Sequence, residues 1–190
     1  SQFVAFIADT RKQNFNEKTG YYGEGLILEA TCQGLGTCWV SGTFKSEVVS
    51  EQIKLKDHEK IIAITPLGYT RDKHSLGEKI FSLMISSHKR KNLDEICVGG
   101  FKKDWLDWIK TAIKSARLAP SAVNRQPWSF KVKGDSITVM VNSLKKHEEV
   151  SKLIDCGIAM LHLEVGARKE GIEGKWEYLE SPDVAVFIST

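Results

Sequence analysis

Apolar residues recur at steps of three and four over Trp105, Ile109, Ala112, Ile113 and Ala116, the spacing of one helical face, and predict a helix over 103–117. Similar stretches predict helices over 22–33 and 153–170, each followed by a glycine, Gly34 or Gly171, suited to the left-handed residue that closes a helix. Strand patterns fall on residues 1–8, Ile61 to Leu67 and Val184 to Ser189, where apolar and β-branched side chains cluster.

Between the helix over 103–117 and a strand opening at Trp128 lies Ala119-Pro-Ser-Ala-Val-Asn-Arg-Gln-Pro-Trp-Ser-Phe130. Pro120 and Pro127 remove backbone donors and push the residues before them out of the α region, stiffening the loop from both ends. Ser121, Asn124 and Gln126 add short polar side chains, and the amides of residues 121–124 are expected to point at something other than protein. Such a loop suits a polar, planar ligand.

The chain also repeats itself. Laid without a gap on residues 157–176, residues 20–39 place Gly20, Leu26, Ala30, Gly34 and Trp39 on Gly157, Leu163, Ala167, Gly171 and Trp176. Each copy runs on, through an insert of different length, to an apolar strand. The repeat predicts two halves, 1–98 and 99–190, that share one large interface and form one compact unit.

Composition narrows the function classes. The 190 residues can bury a real core, and 42% apolar content without a run near eighteen apolar residues fits a soluble protein with no membrane partner. A formal charge of +3 with scattered basic residues and no interleaved aromatics argues against nucleic acid. Cys32, Cys38, Cys97 and Cys156 form no C-x-x-C pair, and His58, His74, His88, His147 and His162 are dispersed. Buried or half-buried thiols without disulfides, no metal site and a cytoplasmic location are therefore expected. Ser121 lacks a nucleophile elbow, and no catalytic side chain is assigned.

The segment Ala119-Pro-Ser-x-x-Asn-x-Gln-Pro-Trp128 resembles the signature loop of the FMN-dependent nitroreductase family. Gly34-Leu-Gly-Thr-Cys-Trp-Val-Ser-Gly42 resembles that family's second flavin-contacting stretch, and His88-Lys-Arg-Lys-Asn-Leu-Asp-Glu95 its basic phosphate-binding tail. Their order is permuted relative to an ordinary member. With the repeat, this is similar to the tandem, single-chain subgroup, in which one chain imitates the usual dimer. The resemblance implies an α+β sandwich with a mostly antiparallel central sheet flanked by helices, and a monomer rather than a homodimer. It also implies that the family's Arg-x-Ser-x-Arg arm is missing ahead of residue 1.

The same resemblance implies one FMN per chain, with NAD(P)H as reductant. Pro120, Ser121, Ala122 and Asn124 would contact the ring edge and ribityl chain, and Trp39, Val40, Ser41 and Gly42 the opposite face. An amide of Ser41 or Gly42 would face flavin N5, and His88, Lys89 and Arg90 would hold the phosphate. The implied reaction is ping-pong hydride transfer to a small-molecule electron acceptor, a nitroaromatic or a quinone; the alternative is a flavin-binding protein with little turnover. From the residues alone, Trp39 and Trp128 read as core aromatics, and the Lys-Arg-Lys run as a solvated surface.

Overall fold

The computed structural model describes residues 2–42, 44–69, 88–142 and 150–190. Strand β1 (Gln2–Asp9) leads into helix α1 (Phe15–Cys32), a two-residue strand β2 (Gly36–Thr37), a short helix α2 (Ser46–Ser50) and strand β3 (Glu59–Gly68). A short helix α3 (Leu93–Ile96) closes the first half, and the second holds α4 (Asp107–Ala116), a 3-10 turn at Ala122–Asn124, β4 (Trp128–Lys133), β5 (Ser136–Val141), α5 (Lys152–Lys169), β6 (Gly174–Tyr178) and β7 (Asp183–Ser189). The strands form two antiparallel sheets, ordered β1-β3-β2 and β4-β5-β7-β6. Helices α1 and α5 pack on each other and α4 packs on α5. The fold is α+β as expected, with the strands divided between two sheets.

The amphipathic pattern of α4 buries Trp108, Ile109, Ala112, Ile113 and Ala116. Helix α1 extends seven residues ahead of its expected start at residue 22. Its first turns carry Gly20 and Gly23, poor helix formers that stand there for close packing. A Cβ on Gly20 would lie 2.0 Å from the carbonyl oxygen of Ile154, and one on Gly157 would lie 2.0 Å from that of Glu17. Under the repeat Gly20 corresponds to Gly157 and Glu17 to Ile154, so the two contacts are one contact made in both directions across the α1–α5 seam.

The repeat holds at finer detail. At the end of α1 the amides of Gly34 and Leu35 donate to the carbonyls of Thr31 and Ala30; at the end of α5 those of Gly171 and Ile172 donate to Arg168 and Ala167. Both glycines have φ of 77°, which only glycine adopts without cost. Strand β1 pairs with β3 through a register shift between Phe6 and Ile7, and β5 pairs with β7 through the corresponding shift between Val139 and Met140. The principal core is lopsided: its buried residues run from Ile96 to Phe187, all but Ile96 and Cys97 in the second half.

Candidate functional site

The loop between α4 and β4 is held in an unusual backbone conformation. Val123, Asn124 and Gln126 have φ of 45°, 55° and 44°, values that L side chains rarely adopt and a β-branched valine least of all. Strain of this kind persists only where the surroundings over-determine it, and here they do. Asp155, 2% exposed in the first turn of α5, accepts the amide of Ala122 at 3.0 Å and the Arg125 guanidinium at 2.6 Å. The Ser121 hydroxyl accepts the Gln126 amide at 2.9 Å. Against expectation, the amides of Ala122 and Asn124 are therefore spent inside the protein, on Asp155 and on the Ser121 carbonyl, because the tight turn and its buried carboxylate satisfy them locally.

The basic segment is seated on this loop. The Asn124 side chain donates to the Lys89 carbonyl at 2.9 Å and accepts from the Arg90 guanidinium at 3.3 Å. Gln126 accepts the Lys91 amide at 2.8 Å and donates to the Lys89 carbonyl at 3.2 Å. Arg117 donates to the Lys91 carbonyl at 2.6 Å, and Arg90 to the carbonyl of Leu118. Burial, and then the like charge of Arg117, pull the Arg90 guanidinium below its ordinary pKa. An anion beside the pair would offset both effects. Lys89, Arg90, Lys91 and Arg117 thus gather around Asn124 and Gln126, in the loop that also carries Pro120, Ser121 and Ala122, with His88 exposed at the head of the segment.

Residues 38–42 are positioned by the first sheet and α1. Val40 bridges Ile64, and the Ser41 hydroxyl donates to the Ile62 carbonyl at 2.9 Å. The Trp39 indole lies over Gly23, where a Cβ would be 2.5 Å from its ring. It packs on Phe6 with ring centroids 4.7 Å apart and donates to Glu24 at 2.8 Å. The Trp39 side chain is thereby spent on packing, while the chain beyond it stays open: among the described residues neither Ser41 nor Gly42 gives its amide to a protein acceptor. Gly42 has φ of 81°, a backbone position that a larger side chain would strain.

Trp128 is core, at 2% exposure, with its indole N–H meeting no acceptor. Sequence reading did not single out Arg117, Arg125 or Asp155. Asp155 carries no pattern that marks it, because its partners Ala122 and Arg125 lie 33 and 30 residues away. Arg117 follows the last residue of α4, where a basic residue ordinarily serves the helix end. Among the described residues no group of histidine, cysteine and carboxylate side chains could hold a metal, and no helix is long and apolar enough to cross a membrane.

The family profile described as "Putative TM nitroreductase" matches residues 1–167. A crystal structure of a protein from Thermotoga maritima MSB8, described as a "putative nitroreductase", is similar in fold with a TM-score of 0.68 at 22% identity. The match covers 98% of this chain and 70% of that one. Among curated proteins nothing matches.

Proposed function

Since the chain belongs to the TM nitroreductase family and is thereby a nitroreductase-type oxidoreductase, we propose that it is an FMN-dependent NAD(P)H oxidoreductase working by a ping-pong sequence. Nitroaromatics, quinones or similar small molecules would be its acceptors. The observation that carries this reading is the seating of residues 89–91 on the strained loop at 120–126, which fixes a cluster of cations against Asn124 and Gln126. Bound FMN would supply hydride uptake from the reduced nicotinamide and hydride delivery to the acceptor.

The rest belongs to the residues. Lys89, Arg90 and His88, with Arg117 beside them, offer the positive charge a phosphate needs, and a planar guanidinium can grip two of its oxygens. The backbone at Pro120, Ser121 and Ala122 would border the ring edge. Asn124 fixes the distance between loop and cations through its own hydrogen bonds. The amides of Ser41 and Gly42 have the unsatisfied donor capacity that a ring nitrogen would use.

The proposal includes one flavin per chain, in a monomer whose halves 1–98 and 99–190 stand in for two subunits. The halves differ in a way that supports a single site. Under the repeat Tyr178 and Leu179 replace Ser41 and Gly42. Tyr178 is part of the β6–β7 ladder, and the Leu179 amide donates to the Val184 carbonyl at 2.9 Å. The absorption spectrum of the purified protein tests the cofactor. A flavin spectrum bleached by NAD(P)H is expected, with a flavin to protein ratio near one that falls in Asn124→Ala and in Gly42→Val. A colourless protein, or full retention in both variants, would reject the site; a yellow protein that NAD(P)H cannot bleach would leave a flavin binder without turnover.

A further inference from the structure

Matching the two halves strand by strand shows what the first one lacks. Their shared register and bulge place β1 on β5, β3 on β7 and β2 on β6. Among the described residues nothing in the first sheet corresponds to β4, which pairs with the outer edge of β5 along its whole length from Trp128↔Val141 to Lys133↔Ser136. Among them nothing corresponds to α4 either, which lies so close to α5 that a Cβ on Gly166 would sit 2.7 Å from the Cα of Ala112.

The exposed surface of the first half is the footprint of that missing pair. Ile137, Val139 and Val141 of β5 are between 0% and 3% exposed, whereas none of Val4, Phe6 and Ala8, their counterparts on β1, is buried. Ala159 and Leu163 of α5 are fully buried, whereas Tyr22 and Leu26, their counterparts on α1, are 71% and 39% exposed. Between β1 and α1 runs an apolar groove of about 470 Å³ lined by Phe6, Phe15, Tyr22 and Leu26 among others. An unpaired strand edge beside an apolar helix face is a template for another segment of chain.

We infer that the outer edge of β1 and the groove beside α1 are the seat of a helix–strand unit of the α4–β4 kind, carried on polypeptide that runs into the N-terminal end of β1. Its strand lies antiparallel on β1, as β4 lies on β5. Its helix covers Tyr22 and Leu26, as α4 covers Leu163. The direct link follows from β4 entering β5 through Gly134-Asp135 alone.

The test compares the polypeptide made from the natural gene with a chain of residues 1–190, by hydrogen exchange resolved to single amides. In the natural polypeptide the β1 edge amides are expected to exchange at least about a hundredfold more slowly than in the shorter chain. A Tyr22→Cys thiol, followed by mass spectrometry in both, is expected to react at least about tenfold more slowly in the natural polypeptide, since covered side chains open only with the segment above them. Equal rates in the two chains would overturn the inference. So would protected β1 amides in a residue 1–190 chain that sediments as a dimer, because a second copy would then be the occupant.

Discussion

Glu24 and Glu164 are buried carboxylates at 2% and 7% exposure, and each is ringed by donors from both halves. Glu24 accepts the indole N–H of Trp39 and meets His162 Nε2 at 2.8 Å. Glu164 accepts the indole N–H of Trp176, the hydroxyl of Tyr21 and the guanidinium of Arg168. Trp39 and Trp176 are equivalents under the repeat, so the same device serves both sides of the seam. Replacing Glu164 with alanine strands the Tyr21 hydroxyl and the Trp176 indole. Buried orphans cost about 1–3 kcal/mol each, so Glu164→Ala should lower the denaturant midpoint well beyond Glu164→Gln, which keeps one acceptor. Glu17 behaves differently. Burial raises its carboxyl above the ordinary value of 4.5, so the folded chain holds that proton more tightly than the unfolded one. Its favourable contribution is complete below the unfolded value and is lost as pH rises through the folded one. Thermal melts should show Glu17→Gln gaining on the parent between about pH 4 and neutrality; a constant difference would contradict this.

At the scale of elements, the seam between α1 and α5 sets the tolerance of both helices. Gly20→Ala and Gly157→Ala each drive a methyl group into a carbonyl of the facing helix. Overpacking of this order costs about 1–3 kcal/mol or more, so the two variants should lose comparable stability in chemical denaturation, whereas Gly25→Ala, with its nearest neighbour 3.7 Å away, should lose far less. The helical face of α4, the extent of α5 and the strands at β3 and β7 are legible in the sequence because period and composition report burial directly. The first turns of α1 are not, since Gly20 and Gly23 lower helix propensity locally and are explained only by Ile154 and Trp39, distant in sequence. The repeat is legible from a few identities; its bulge and its reciprocal contacts are backbone properties that side-chain identity does not encode. In the candidate site the loop and basic segment are legible as chemistry, but their junction through Asn124 and Gln126 depends on tertiary structure, as does the anchoring by Asp155.

At the scale of the molecule, the uneven core predicts uneven chemistry. Cys97 and Cys156 are buried in the core built mainly by the second half; burial, then the nearby carboxylate of Asp94, pushes the Cys97 thiol up to about 12, and burial, then the charge of Asp155, raises Cys156 well above its ordinary value. Cys32 and Cys38, expected to be buried or half-buried like these, are instead exposed, at the end of α1 and just past β2. Alkylation of the native protein should therefore reach Cys32 and Cys38 first and leave Cys97 and Cys156 unmodified until the second half unfolds; early loss of the Cys97 thiol would show that half to be less stable than its packing implies. The two halves also differ in how they join equivalent strands. Residues 38–58 lie between β2 and β3, and residues 179–182 between β6 and β7. A natural blank control is thus written into the chain: transplanting the short connection into the first half would delete the Ser41–Gly42 bend while leaving the ladder register a template to follow. The molecule carries its own pattern for a folded version of itself without that bend.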